Sequence, residues 1–438
     1  MAEDEPATWQ NTVKTKIAMI KSTLMLTVVA MLVPGLSAAQ TVQNFIIDPN
    51  PTRWHAGITS LFKDMKSFLK SEKTGALEKV VDYFTSPTNP SVVNANNGGV
   101  GGIYLYVNDG SLTGTWTRHQ IGYGDCYEHA AAFKYPGDKY PGIIASCDNR
   151  LVWFENLANS GGDPLSIWPT NVIYGNSGCH DFALADVDGD GKLDVVCSSA
   201  VNLGDMQNFI LYQNDRNSWS YVAGPGRIGD GVALISVGGS PRNNVVGSAM
   251  DGSGVYWFEY PGGRDGIWAS HYIGSADDGV SIGSGTLPDG QDYVVIAANE
   301  SAWPGGLAFF TQNSDPTQPW NATTIDASYR AVHQLTVGTF DGSPYVLAAE
   351  EEQACIAGIN GNDAYHADLP CRVEIFKYRS GTFEPLVLLS TQGTQNQSVI
   401  PYNGGLLIVG ANHGLYGGYP ALQGWIVGSS GTAARSSR

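Results

Sequence analysis

The chain has 438 residues, a formal net charge of −17, 15% charged residues and 54 glycines. Such acidity argues against nucleic acid and against anionic membranes as partners. Glycine-rich, charge-poor composition fits a turn-rich all-β protein rather than a helical one.

Residues 1–39 read as a targeting segment. Lys14, Lys16 and Lys21 precede an apolar run from Leu24 to Leu36 that ends in the small residues Ser37, Ala38 and Ala39. This is the layout of a secretory signal peptide, with Met19 an alternative start that would make residues 1–18 an extension. The run is short for a membrane span and contains Pro34. The protein is therefore expected outside the cell.

From residue 40 to 428 one unit recurs, which decides the architecture. Its openings are WHAGITSLF at Trp54, EHAAAFKYPG at Glu128, CHDFALADVDGDGKLDVVCS at Cys179, DGVALISVGG at Asp230, DGVSIGSGTL at Asp278, VHQLTVGTFDG at Val332 and QSVIPYNGGLLIVGAN at Gln397. Each reads as a hairpin of two strands. An aromatic third strand follows most of them, as in RLVWFEN and GVYWFEY. A fourth carries W-x-x-H/T-x-I, as at Trp116, His119 and Ile121 and again at Trp268, His271 and Ile273. Four short antiparallel strands per unit and seven units predict a seven-bladed β-propeller. The last unit stops after its third strand. Val42 to Asp48 is expected to supply the fourth and so close the ring, removing an open sheet edge.

Two inserts interrupt the pattern: Lys63 to Val80, of helical composition, and Glu350 to Cys371. Residues 429–438 are low-complexity and read as a disordered tail. Six cysteines in a secreted chain suggest disulfides, and fifteen pairings are possible. The start of a first strand lies beside the end of its second, which favours Cys126 with Cys147 and Cys179 with Cys197, leaving Cys355 with Cys371. Sequons at Asn299, Asn321 and Asn396 allow glycans.

The third hairpin holds D-x-D-x-D-G-x-x-D, with Asp186, Asp188, Asp190 and Asp194. Carboxylates at alternate positions converge when the backbone curls, and Gly189 and Gly191 permit the curl. Hard oxygen ligands at this spacing suit Ca²⁺, read as a brace of the fold rather than a catalyst.

The catalytic candidates lie where the first strands begin. His55, His129, His180 and His333, four of the eight histidines, occupy one equivalent position in different units. Tyr127, Glu128, Tyr329 and Arg330 lie beside them. Loops between second and third strands of the same face add Arg150, Asn299, Trp303, Glu350 and His413. Imidazole, carboxylate, guanidinium and aromatic groups together suit a sugar pocket. Trp153, Trp257, Phe309 and Phe310 sit mid-strand and read as core.

The acidic hairpin resembles FG-GAP or VCBS-type repeats of secreted propellers. The histidine-initiated strands, as in VHQLTVGTFDG and CHDFALADVDGDG, are similar to two fungal carbohydrate-active groups: the propeller domain of aldos-2-ulose dehydratase and L-rhamnose-α-1,4-D-glucuronate lyase. The chain lacks the dehydratase's cupin and further C-terminal domain. Both relatives carry out eliminations, so the resemblance implies a carbon–oxygen lyase acting on a uronate-containing glycan terminus or a small ketose. A neutral histidine, His129 or His180, suits proton abstraction, with Tyr127 or His333 protonating the leaving oxygen. Arg330, or Arg150, would pair with a carboxylate or enolate. Alternatively the histidines with Glu350 would hold Zn²⁺ or Mg²⁺ as a Lewis acid. His55, Asn299, Trp303 and His413 would line the substrate. The competing reading is a secreted lectin that binds sugar without catalysis. No G-x-S-x-G elbow and no βα alternation support a serine-nucleophile or dinucleotide-binding enzyme.

Overall fold

The computed structural model describes residues 42–48, 56–61, 92–96, 102–109, 111–124, 126–198, 208–226, 228–229, 231–241, 243–249, 254–275, 280–298, 306–329, 332–350, 371–390, 393–394, 396–402, 404–411 and 422–428. The signal segment, both inserts and the tail lie outside them, apart from the insert's ends at Glu350 and Cys371.

All the sheets are four-stranded and antiparallel, and they build a β-propeller. Six blades, rather than seven, take four consecutive strands each. Blade one is β2 (Ala56–Leu61), β3 (Val92–Asn96), β4 (Gly102–Asn108) and β5 (Trp116–Tyr123). Blade two is β6 (Cys126–Phe133), β7 (Gly142–Cys147), β8 (Arg150–Phe154) and β9 (Thr170–Tyr174). Blade three is β10 (Phe182–Ala185), β11 (Asp194–Cys197), β12 (Phe209–Asp215) and β13 (Ser218–Ala223). Blade four is β14 (Val232–Ile235), β15 (Asn244–Ala249), β16 (Gly254–Glu259) and β17 (Ala269–Gly274). Blade five is β18 (Val280–Thr286), β19 (Asp292–Ala298), β20 (Leu307–Thr311) and β21 (Asn321–Asp326). Blade six is β22 (Val332–Phe340), β23 (Ser343–Glu350), β24 (Val373–Arg379) and β25 (Thr382–Ser390). The remaining sheet is composite. Its order is β1-β28-β27-β26, joining β1 (Val42–Asp48) to β26 (Asn396–Tyr402), β27 (Gly405–Ala411) and β28 (Leu422–Val427).

The first strand of each blade lies innermost, against the first strands of its neighbours, as with β14 beside β18, β18 beside β22 and β22 beside β26. Second strands are apolar on both faces because both pack against other blades. Gly142–Cys147 and Gly405–Ala411 are buried at every position. Fourth strands face solvent and alternate, as in Ser218–Ala223. The core is accordingly divided into clusters between successive sheets. Val196, Tyr212, Val245 and Phe258 join blades three and four, for example. Phe45, Tyr104, Tyr106, Leu407 and Val409 join the composite sheet to blade one. Trp153, Trp257, Phe309 and Phe310 are all buried in such clusters, as expected.

The W-x-x-H/T-x-I pattern has a packing cause. In three blades, one with Asn171 in the H/T place, the indole N–H of the tryptophan caps a carbonyl four residues earlier: Trp116 to Leu112 at 2.9 Å, Trp168 to Pro164 at 2.8 Å and Trp320 to Pro316 at 3.0 Å. The tryptophan's backbone N–H then bonds the motif isoleucine of the preceding blade. Trp168 donates to the Ile121 carbonyl at 2.7 Å and Trp320 to that of Ile273 at 2.9 Å. One residue thus closes a loop and locks two blades. His119 and His271 take no part in this. His271 stacks on Trp257 with ring centroids 4.1 Å apart and meets Glu259 at 3.2 Å.

Disulfides join Cys126 to Cys147 and Cys179 to Cys197, each tying the start of a first strand to the end of its second. Cys371 is also disulfide-bonded; its expected partner, Cys355, lies outside the described residues.

Candidate functional site

Where the histidines occur, the inner strands depart from regular pairing. In β6, Cys126 faces Cys147 and Ala130 faces Ala145, so four steps on one strand match two on the other. Tyr127, Glu128 and His129 occupy the surplus. In β22, Val332 faces Glu350 and Leu335 faces Ala348, with His333 and Gln334 in the irregularity. In β2 the shift falls between Ala56 and Thr59, immediately after His55. The inner strands of blades four and five, β14 and β18, hold no histidine and pair without interruption from Val232 and from Val280. A bulge twists a strand and re-aims its side chains, and bulges gather beside functional sites. Two of the four histidines, His129 and His333, thus fall within a bulge, and His55 immediately precedes a third in sequence.

The fourth, His180, is half-buried in the bend between the Cys179 disulfide and β10. The backbones of Tyr127, His129 and His333 belong to β6 and β22, and their side chains lie outside the description. His55, Asn299, Trp303, Arg330 and His413 also lie outside the described residues. Arg150 opens β8 after a turn in which Asp148 and Asn149 adopt φ of 51° and 59°. Its guanidinium pairs with Asp148 at 3.1 Å on the surface.

Glu350 departs from its expected role. It is fully buried at the end of β23. The Arg372 amide donates to its Oε2 at 2.7 Å, and the Arg372 guanidinium donates to Oε1 at 3.2 Å. Arg372 also bonds Asp326 at 2.8 Å and lies 4.0 Å over the Tyr329 ring. A carboxylate so enclosed serves as a structural counter-ion, not as a substrate contact or a ligand of a histidine-bound metal.

The acidic hairpin between β10 and β11 brings together carboxylates that could hold a cation. Asp186, Asp188 and Asp194 each offer an oxygen, all within 4.8 Å of one another. Asp186 accepts from the amides of Gly189 at 2.8 Å and Gly191 at 2.9 Å. Those glycines adopt φ of 79° and 84°, in the left-handed region that other residues resist. Asp194 is fully buried and accepts from the amides of Val187 and Gln213, both at 2.9 Å. Burial pushes its carboxyl up to about 6. Across the ladder, the buried Tyr212 hydroxyl has no hydrogen-bond partner among the described residues. Asp190 is drawn aside to Lys192, at 2.7 Å.

Arg264, from the loop after β16 in blade four, reaches this hairpin. It donates to Asp188, to Asp190 at 3.2 Å and to Asn214 at 2.6 Å, with its guanidinium 4.8 Å over the Tyr212 ring. Four carboxylates against Arg264 and Lys192 leave two negative charges uncompensated. The oxygen donors, their convergence and this residual charge all fit Ca²⁺, with Asp186, Asp188 and Asp194 as its holders. Arg216 repeats the arrangement one blade earlier, meeting Asp138 at 2.7 Å and also Glu155, and lying over Tyr135 and Trp153. Neither arginine has a local sequence signal. Only the recurrence of an arginine after the third strand in two blades could have hinted at the pair.

An FG-GAP-like repeat model matches residues 135–197, from the β6–β7 turn to the end of the acidic hairpin. No curated protein matches the chain. A crystal structure of a protein of unknown function from Dyadobacter fermentans DSM 18053 is similar at 12% identity and a TM-score of 0.43, covering 90% of this chain and 100% of that one.

Proposed function

We propose that the protein is a secreted carbohydrate-active lyase whose site lies at the propeller end where the inner strands begin. The observation that carries this is that His129 and His333 fall within backbone bulges of β6 and β22 and that β2 has a bulge starting one residue after His55 in sequence, whereas the histidine-free inner strands β14 and β18 pair without one. Several imidazoles brought to one channel end supply both halves of an elimination. His129 or His180 removes the proton next to a carbonyl or carboxylate. Tyr127 or His333 protonates the departing oxygen, and Arg330 pairs with the enolate. The similarity to aldos-2-ulose dehydratase and L-rhamnose-α-1,4-D-glucuronate lyase accords with that chemistry. A divalent Zn²⁺ or Mg²⁺ at the histidines would act as Lewis acid there, without Glu350.

In this reading the composite sheet is a seventh blade and β1 closes the ring. The pairing of β1 along β28 and the packing of Phe45 and Leu407 against Tyr104 and Tyr106 support it. Ca²⁺ at Asp186, Asp188 and Asp194 braces blade three. The disulfides are compatible with an extracellular protein.

The test is an elimination assay on purified protein. Glucuronate-capped glycans and small ketoses are followed for new ultraviolet absorbance, with and without chelator. Absorbance that disappears in folded His129→Ala and His180→Ala variants is the expected result. Sugar binding with no product on any substrate would overturn catalysis and leave a lectin.

A further inference from the structure

Beside the bulge of β22 a cavity of about 340 Å³ opens between three inner strands, β18, β22 and β26. Its polar lining is Ser284, Gln334, Thr336, Gln397 and Ser398, and no charged residue is among its described walls. This is notable in a chain of net charge −17. The volume sits at the lower end of small-molecule pockets, enough for about one sugar ring.

The wall is held in place by bonds between blades. The Gln397 amide donates to Gln334 Oε1 at 3.0 Å, and the Gln397 side-chain amide donates to the Gln334 carbonyl. Ser284 donates to the Leu234 carbonyl of blade four at 2.8 Å. Because Gln334 Oε1 is taken, its carboxamide is oriented, and its Nε2 donates to no group among the described residues. Gln334 follows His333 directly, so the cavity begins where the histidine end leaves off.

We propose that this cavity is a subsite for one neutral sugar ring, and hence that the substrate presents an uncharged polyhydroxylated residue to the channel. This rests on the lyase reading and sharpens it toward a small ketose or a neutral residue next to the cleaved bond. Hydroxyl groups both give and accept hydrogen bonds, which matches a wall of serine, threonine and carboxamide groups. A uronate carboxylate placed there would lose its hydration with no cation to meet it. Gln334 Nε2 is the specificity-determining donor.

Calorimetric titration of the intact secreted chain with glucose, fructose and glucuronate tests this, alongside Gln334→Leu, Thr336→Val and His180→Ala, with thermal unfolding to verify folding. A neutral hexose should bind, and any glucuronate held at the catalytic end should be unaffected by the two cavity variants. Gln334→Leu should weaken the hexose at least about tenfold and Thr336→Val by a few-fold, the loss of one or part of one hydrogen bond. His180→Ala should leave hexose binding within about threefold while removing any elimination. Glucuronate binding that the cavity variants weaken as much as hexose binding, or hexose binding unchanged in both folded cavity variants, would overturn the subsite. Neutral sugar bound without elimination would instead remove the catalytic reading and leave the subsite standing. Elimination without neutral-sugar binding would do the reverse.

Discussion

Arg264 of blade four bonds Asp188 in the acidic hairpin of blade three, across 76 residues of chain. Its guanidinium does two things at once. It ties neighbouring blades, and it supplies a fixed positive charge beside the carboxylates that would hold Ca²⁺. Arg216 ties blade three to Asp138 of blade two in the same way, at a hairpin without the D-x-D-x-D-G pattern. The arginine clasp is thus the common element, and the metal loop is the variation on it.

Replacing Arg264 with methionine should lower stability in chelator by about 1–3 kcal/mol, between the values for surface and buried pairs, since both partners are partly shielded. Added Ca²⁺ should raise the melting temperature of Arg264→Met by more than that of the parent, because the variant hairpin carries one more uncompensated negative charge. Thermal unfolding with and without Ca²⁺ decides this. An equal calcium response in both proteins would separate the arginine from the cation site.

The tryptophan lock gives a second contrast. Trp168 and Trp320 donate their indole N–H to proline carbonyls, whereas the buried indole nitrogen of the equally repeated Trp268 has no partner among the described residues. Trp168→Phe should cost about 1–3 kcal/mol in denaturant unfolding, from lost contacts and an unpaired carbonyl. Trp268→Phe keeps most of the ring and breaks no bond of that nitrogen, so it should cost clearly less. A larger loss at Trp268 would contradict the loop-closing role of the indole bond.

Much of the fold was legible because its causes are local and repeated. The hairpins, the aromatic third strands and the first two disulfides follow from strand periodicity and from the adjacency of a strand start to its partner's end. The W-x-x-H/T-x-I pattern was visible, but its cause was not, since the carbonyl that Trp168 reaches lies in the preceding blade. The pairings of Asp190 and Glu350 were hidden for a related reason. Composition shows a carboxylate and is silent on Lys192 or Arg372 already holding it. The bulges at His129 and His333 depend on ladder register, and a strand's register belongs to two segments at once.

The Arg372 cluster predicts opposite pH effects at two carboxyls. Burial would raise Asp326, but the Ser328 hydroxyl and amide and the Arg372 guanidinium outweigh it and hold the carboxyl below the ordinary range. A depressed folded value means that the contribution is complete above the unfolded value of about 3.9 and is lost as pH falls through the folded one. Glu374 is raised, chiefly by burial. Its contribution is complete below the unfolded value of about 4.3 and is lost as pH rises through the folded one. Asp326→Asn should therefore flatten the acid limb of stability against pH, and Glu374→Gln should raise stability on the neutral side. Urea unfolding across the acid-to-neutral range reads both. An unchanged acid limb in Asp326→Asn, or a loss at neutral pH in Glu374→Gln, would refute the assignment.

Asp194 and Asp186 are both expected calcium holders, yet they should respond differently when no metal is bound. Asp194 satisfies two buried amides, those of Val187 and Gln213. Asp186 satisfies those of Gly189 and Gly191, which are exposed and can turn to water. An orphaned buried amide costs about 1–3 kcal/mol, and an exposed one very little. In chelator, Asp194→Ala should lose about 2–5 kcal/mol in urea unfolding, and Asp186→Ala under about 1. In Ca²⁺ both losses should grow, because each variant then also lacks a metal ligand, and the gap between them should remain. Equal losses in chelator would mean that Asp194 matters only through the cation, and that its place in the β10–β12 ladder is incidental.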